Sequence, residues 1–204
     1  MKKVLSLLLC LLFCMTACGA PSVLEEDAAT PLLAVDGKTI MTVEDFSRIC
    51  TEQQVSADVR GTDTVSEKDL FIKAAEQRIL ARFAEIYQVD EPADELMDEF
   101  DRHMEEIADT EVYGAELAYS EKLQQQLKLD DAAYKAWTVE ENRIARSAEN
   151  LLADIAGEYK TLIDPIEMEE AILRNLEMLL DMYDVRVYYP GLAEEKRSFQ
   201  TVLN

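Results

Sequence analysis

Near its amino terminus the chain reads Leu32-Leu33-Ala34-Val35-Asp36-Gly37-Lys38-Thr39-Ile40-Met41. Two short apolar runs flank Asp36-Gly37, a pair that favours a two-residue β-turn because both central positions need positive φ. The sequence therefore predicts a β-hairpin. Thr42 follows as a helix N-cap, and Val43 and Phe46 begin an apolar stripe at helical spacing.

Beyond this first helix, the polar stretch from Val55 to Thr64 predicts a loop. Apolar residues then recur at spacings of three and four, which is typical of amphipathic helices. Five further helices are predicted to begin at about Ser66, Pro92, Tyr113, Asp130 and Pro165. Their apolar residues include Ile72, Ile79 and Phe83; Leu96 and Phe100; Leu117, Leu123 and Leu127; Trp137, Ile144 and Leu151; and Ile172, Leu176 and Leu179.

The chain returns to β-structure close to its carboxyl terminus. Val185, Val187 and Tyr189 alternate with polar or amphipathic neighbours before Pro190-Gly191, which predicts a short strand. A lone hairpin is marginally stable in water, and this strand can add a third member to it. The predicted fold is mainly α: five to six helices closed by a small two- to three-stranded antiparallel sheet from the hairpin and the C-terminal strand.

The first residues have the parts of a secretory signal peptide. Met1-Lys2-Lys3 is positively charged, and an almost unbroken apolar run follows from Val4 to Met15. The run is too short for a permanent membrane span. Met15-Thr16-Ala17-Cys18 resembles the bacterial lipobox, which implies cleavage before Cys18 and attachment of palmitate-like acyl chains to that thiol. Plain secretion with cleavage nearby and an uncleaved anchor are the alternatives that stay open.

Composition excludes several classes of function. The 204 residues carry a formal net charge of −22, which argues against a nucleic-acid partner because no basic surface could displace counterions from phosphates. A single histidine, His103, argues against His-based metal sites and catalytic triads. Of the four cysteines, Cys50 alone would remain free in the lipidated chain, so no intramolecular disulfide is expected. Cys50 is expected to be a buried thiol, and a redox role is the alternative that stays open.

For each of three groups of residues, the sequence leaves two interpretations open. The acidic run from Asp90 to Asp101 lacks the glycine that a calcium-binding EF-hand loop requires, so it predicts a solvated helix face in preference to a metal site. Trp137 and the pair Tyr188-Tyr189 are expected in packing, although they could line a ligand groove. The methionines are expected either to fill the core or to form an adaptable client surface. Those of the mature chain are Met41, Met97, Met104, Met168, Met178 and Met182.

One phrase resembles a known family: Ala34-Val35-Asp36-Gly37-Lys38-Thr39-Ile40-Met41-Thr42-Val43-Glu44-Asp45-Phe46. It is similar to the opening of the N-terminal module of SurA- and PrsA-type extracytoplasmic chaperones, in which a strand, a turn, an Ile, a Thr or Ser cap and a helix with a Phe follow in this order. The segments 68–100 and 119–155 resemble the next helices of that module. The lipobox is typical of the Gram-positive PrsA branch.

The chain departs from that family in one respect. The resemblance implies a parvulin-type prolyl-isomerase domain before the last helix, but here Ala156 to Asp164 alone separates the helical body from Pro165. The expected organisation is a lipoprotein signal at residues 1–17, a flexible tether at 18–30, a SurA-N-like helical chaperone domain at 31–192 and a tail at 193–204.

The function expected from the sequence is a membrane-anchored chaperone on the extracytoplasmic face of a bacterial cell membrane. It would bind unfolded or secreted polypeptides without isomerase activity, without a cofactor or metal and without a catalytic residue, and it would reach the membrane through the lipid on Cys18. The alternative is an envelope-complex adaptor lipoprotein that binds one fixed protein partner. A small-molecule binding lipoprotein is disfavoured because no two-lobed α/β pattern is present.

Overall fold

The computed structural model describes residues 23–108, 110–159, 165–189 and 192. In this part of the chain, three strands and six α-helices follow one another. The strands are β1 (Pro31–Val35), β2 (Lys38–Thr42) and β3 (Val185–Val187). The helices are α1 (Val43–Arg60), α2 (Glu67–Tyr87), α3 (Ala93–Ile107), α4 (Glu111–Leu127), α5 (Asp131–Tyr159) and α6 (Pro165–Met182). The predicted fold class, mainly helical with a small antiparallel sheet, is confirmed.

The sheet has the strand order β2-β1-β3, and both pairings are antiparallel. Asp36 and Gly37 have φ of 49° and 74°, which confirms the predicted two-residue turn. The C-terminal strand pairs with β1, with Val185 opposite Val35. It ends at Val187, two residues earlier than predicted, although the Tyr188 N–H still donates to the Leu32 carbonyl at 2.9 Å. The central strand β1 is buried from Leu32 to Val35.

The predicted tether includes residues that belong to the folded part. Val23–Glu25 forms a 3₁₀ turn, and the Val23 side chain is only 2% exposed. The Ala28 carbonyl accepts a hydrogen bond from the Glu44 N–H at 2.9 Å, at the start of α1. The assignment of residues 23–30 to a flexible tether is therefore wrong, since burial of Val23 and this hydrogen bond fix them. Residues 1–22 and 193–204 lie outside the described residues.

The predicted loop from Val55 to Thr64 is also wrong over its first half. Helix α1 continues to Arg60 because Val55 is completely buried and Val59, one turn later, packs against the same cluster. The polar residues between these valines concealed the helical spacing. Gly61 follows with a φ of 66°, a left-handed conformation that suits the end of a helix.

The other predicted helix starts agree closely with the structure. The Ser66 hydroxyl accepts a hydrogen bond from the Asp69 N–H at 3.1 Å and so caps α2. Asp130 does the same for α5, where its carboxylate accepts from the Ala133 N–H at 2.8 Å. These short polar side chains satisfy backbone donors that a helix leaves unpaired at its first turn.

The chain divides into two compact units. The sheet unit comprises the described residues up to Glu44 and from Leu151 onward, and it contains the three strands and α6. The helical unit is Asp45–Asn150. Its core includes Phe46 and Phe71, whose rings meet edge to face at 5.4 Å.

Candidate functional site

Two methionines of α6 are exposed in the sheet unit. Met178 is 50% exposed and Met182 is 60% exposed, and they lie one helical turn apart on the same side of α6. We call them the methionine pair. The opposite side of α6 is buried through Ile172, Leu176 and Leu179, as the sequence predicts.

The outer side of α6 changes character along its length. Its earlier exposed residues are charged and include Glu170 and Arg174, whereas the methionine pair occupies the last turns beside Asp181. A helix whose outer side served only solubility would continue with polar residues to its end. The methionine pair therefore forms an exposed apolar region near the C-terminal end of a charged helix face.

The chain that follows the methionine pair is tied to the sheet. The Asp184 carbonyl accepts a hydrogen bond from the Asp36 N–H at 3.0 Å, and the Asp184 N–H donates to the Asp36 carboxylate at 2.9 Å. Arg186 pairs with the Asp184 carboxylate at 2.7 Å. These bonds fix the end of α6 to the β1–β2 turn, so the methionines are flexible side chains on a fixed backbone.

A second exposed apolar region lies on α4 in the helical unit. From Val112 to Ala118, every exposed residue is uncharged. Val112 is 55% exposed and Leu117 is 37% exposed. The α4 apolar surface, as we define it, consists of Gly114, Leu117 and Ala118, which lie on one side of α4; Val112, five residues before Leu117, lies on another side.

The inner side of α4 is held by packing and by charge. Tyr119 and Leu123 lie in a buried cluster with Val55 of α1 and Tyr134 of α5. Arg60 of α1 pairs with the Glu116 carboxylate at 2.7 Å, and its guanidinium lies 3.8 Å from the centre of the Tyr119 ring. Lys122 pairs with Asp58 at 3.0 Å. The α4 apolar surface therefore lies on a helix that packing and ion pairs hold at several positions.

Leu117 is one of the apolar residues that the sequence shows in this helix, and the structure places it outside. The buried positions are Tyr119 and Leu123, with Leu127 partly buried. A spacing of six residues between Leu117 and Leu123 turns the helix by about 600°, which puts the two side chains on different sides. This spacing of six residues could have shown from the sequence that Leu117 is not on the side of Leu123. Leu127, by contrast, lies four residues after Leu123 and so on the same side.

Cys50, His103 and the acidic run are the candidate titratable groups that the sequence singled out. Burial, with a contribution from Glu67, raises the pKa of Cys50 to about 11, so its thiol is protonated at neutral pH. His103 is exposed on α3, as are most carboxylates of the acidic run. Among the described residues, no group of three or more His, Cys, Asp and Glu side chains could hold a metal ion.

Two half-buried carboxyls have a raised pKa. The Tyr119 hydroxyl donates to the Glu52 carboxylate at 3.2 Å, and burial raises the pKa of Glu52 above its ordinary value. Burial alone raises the pKa of Glu76 to about 7. Both residues lie in the helical unit, and both favour the protonated form there more strongly than in water.

The aromatic candidates serve mainly in packing. Trp137 is partly buried against the cluster that contains Tyr134, and Tyr189 is buried. Tyr188 is 45% exposed at the end of β3. Met41 is completely buried, which separates it from the methionine pair. Cys18, the predicted lipidation site, lies outside the described residues.

Within the described residues, no helix combines the length and the apolar character that crossing a bilayer requires. Comparison of the chain with protein-family models, with curated proteins and with solved structures found no match.

Proposed function

We propose that this chain is a lipid-anchored extracytoplasmic chaperone that binds unfolded secreted polypeptides without isomerase activity. The observation that carries the proposal is the methionine pair, since two neighbouring methionines are exposed on a helix whose other exposed residues, where the structure describes them, are charged. Methionine is unbranched and polarizable, so one pair can contact many different apolar side chains.

The surroundings of the methionine pair suit short-lived contacts. Two exposed methionines bury little area, which favours weak binding with fast release. The net charge of −22 keeps a loaded complex soluble and favours basic or neutral clients. The resemblance of residues 34–46 to the opening of SurA- and PrsA-type chaperones supports the same function.

The test is light scattering of an aggregating unfolded client in the presence of the chain from residue 19 onward. Met178→Gln with Met182→Gln keeps the length of both side chains and removes their apolar surface. We expect this double variant to lose most of the suppression of aggregation. The matched control is Glu170→Gln with Arg174→Gln, which places the same side chains on the same side of α6 and leaves the net charge unchanged.

Full suppression by the methionine double variant would contradict the proposal, as would equal losses in the variant and its control. A refolding assay limited by proline isomerisation tests the other half of the proposal. The uncatalysed barrier is about 20 kcal/mol, and we expect the chain to leave that rate unchanged. Faster refolding would show that the chain is an enzyme.

The anchor is tested separately. Cys18→Ala is expected to release the protein from membranes or to leave its signal uncut, because the variant lacks the thiol that would carry the acyl chains. Unchanged processing together with membrane retention would contradict the assignment of Cys18. That outcome would leave the methionine pair untouched, since the scattering assay uses a chain without the anchor.

The adaptor function is the second candidate, and the α4 apolar surface favours it. A surface of small and branched side chains on a fixed helix suits one complementary partner better than many clients. The two functions require different surfaces in different units, so their tests are independent.

A further inference from the structure

We propose that the methionine pair is a reversible oxidation site, at which hydrogen peroxide converts Met178 and Met182 to methionine sulfoxides and so switches off client binding. The site follows from the exposure of these two side chains, whereas its effect on client binding rests on the proposed chaperone function. Methionine sulfoxide is polar and chiral, so it no longer offers an apolar surface to a client.

The reaction transfers one oxygen atom to each sulfur. A lone pair of the thioether sulfur attacks one peroxide oxygen, an S–O bond forms and the O–O bond breaks. The sulfur loses two electrons and the peroxide gains them. The proton of the transferred oxygen passes to the departing hydroxide, so the products are a sulfoxide and water. In the reversal, a sulfoxide reductase releases the oxygen as water and oxidises two thiols to a disulfide.

Exposure separates the methionine pair from the other methionines that the structure describes. Met178 is 50% exposed and Met182 is 60% exposed, whereas Met41 is completely buried. The partly buried methionines are Met97, Met104 and Met168. Oxidation by peroxide requires access to the sulfur, so the methionine pair should react first.

Cys50 is the competing sulfur, and its environment keeps it in the less reactive form. It is partly buried, and burial, with a contribution from Glu67, raises the pKa of its thiol to about 11. The thiolate is the nucleophile, and at pH 7 only about one in ten thousand of these thiols is ionised. Peroxide at neutral pH is therefore available to the methionine pair.

Oxidation of the methionine pair changes a surface without disturbing the packing of α6. Leu176 and Leu179 are buried on the inner side of this helix, so sulfoxides on its outer side meet water and bury no polar group. Met41 differs, because a sulfoxide there would place a polar group in the core. Client binding should therefore be lost before stability is.

The charge of the chain favours an uncharged oxidant. Glu177 and Asp181 directly precede the two methionines in sequence, and the whole chain has a net charge of −22. Anionic oxidants are repelled by this field, whereas hydrogen peroxide is neutral and approaches freely.

The first measurement maps oxidation in the chain from residue 19 onward, which keeps every described residue. After treatment with hydrogen peroxide at neutral pH, peptide mass spectrometry follows the addition of one oxygen at each methionine. We expect Met178 and Met182 to react at least about tenfold faster than Met41, with the difference abolished in denaturant. Equal rates in the folded chain would overturn the site, whether or not the chain is a chaperone.

The second measurement is suppression of client aggregation by the untreated chain, by the oxidised chain after removal of peroxide, and after sulfoxide reductases for both epimers. We expect oxidation to lower suppression at least about fivefold with an unchanged melting temperature, and the reductases to restore it. Full suppression by the oxidised chain would overturn the switch. Absence of suppression in the untreated chain would overturn the proposed function and with it the switch, while the mapped site would stand.

Met178→Leu with Met182→Leu keeps apolar side chains and removes both sulfurs. Its matched control is Met97→Leu with Met104→Leu, which removes two partly buried sulfurs from α3. Each variant is compared with itself before and after peroxide. We expect the first variant to be insensitive to peroxide and the control to lose suppression as the unmodified chain does. A first variant as sensitive as the control would overturn the proposal, because another residue would then be the switch.

Discussion

The methionine pair and the α4 apolar surface are both exposed apolar regions on an acidic chain, but they consist of different side chains. Met178 and Met182 are long and flexible, and they end a helix face that is otherwise charged. The α4 apolar surface combines small residues with Leu117 on a helix held by ion pairs. The difference indicates that exposure alone does not define a binding function, because side-chain flexibility separates an adaptable surface from a selective one.

The largest expected effect comes from removing β3, which would leave the methionine pair without its support. Truncation after Asp184 removes the strand that pairs with the buried central strand β1. We expect a loss on the order of 3–5 kcal/mol in the free energy of unfolding, from exposed apolar area and unpaired backbone groups. Thermal melting measures it. A chain that ends at Leu192 is the control, and equal melting of both truncated chains would show that β3 is dispensable.

The stability of the helical unit, which contains Glu52 and Glu76, is expected to depend on pH. Because burial raises the pKa of Glu76 from 4.5 to about 7, the folded state binds this proton more tightly than the unfolded state. The stability contributed by Glu76 is therefore complete below about pH 4.5 and is lost as the pH rises through about 7.

Glu76→Gln removes this dependence. We expect the variant to be more stable than the unmodified chain by on the order of 2 kcal/mol at pH 8, after allowance for solvent screening, with a several-fold smaller difference at pH 5. Denaturant unfolding at both pH values measures it. The same stability difference at pH 5 and pH 8 would contradict the assigned cause.

The smallest effect concerns the α4 apolar surface. Gly114→Ala should stabilise the chain by about 0.5–1 kcal/mol, because alanine favours the helix and its methyl group meets no atom here. This would raise the melting temperature by about 2–4 °C. A destabilised Gly114→Ala variant would show that the glycine serves internal packing, and the contrast between the two surfaces would lose its main support on α4.

Local signals predicted most of the fold. The hairpin turn and the two helix caps were predictable from the sequence. Asp36-Gly37 forms the turn itself, and Ser66 and Asp130 each bond a backbone N–H three residues later. The extension of α1 was not, since Val55 is buried by α4 and α5, which come much later in the chain. Burial of Val23 was concealed in the same way by acidic neighbours.

The exposed surfaces were less predictable than the fold. The sequence singled out the methionines as a group, but only tertiary burial separates Met41 in the core from Met178 and Met182 at the surface. The side of α4 that Leu117 occupies was not evident from the sequence, because the apolar pattern of α4 contains more positions than its buried side can hold. Exposure of an apolar residue depends on which neighbours cover it, and helical spacing does not contain that information.

The most direct test measures suppression of client aggregation for two double variants. Met178→Gln with Met182→Gln removes the methionine pair, and Val112→Glu with Leu117→Glu removes the two large exposed apolar side chains of α4. The account predicts that the methionine variant loses suppression of aggregation and that the α4 variant keeps it, with melting unchanged in both. Equal loss of suppression in the two variants, or loss in the α4 variant alone, would contradict the division between an adaptable and a selective surface.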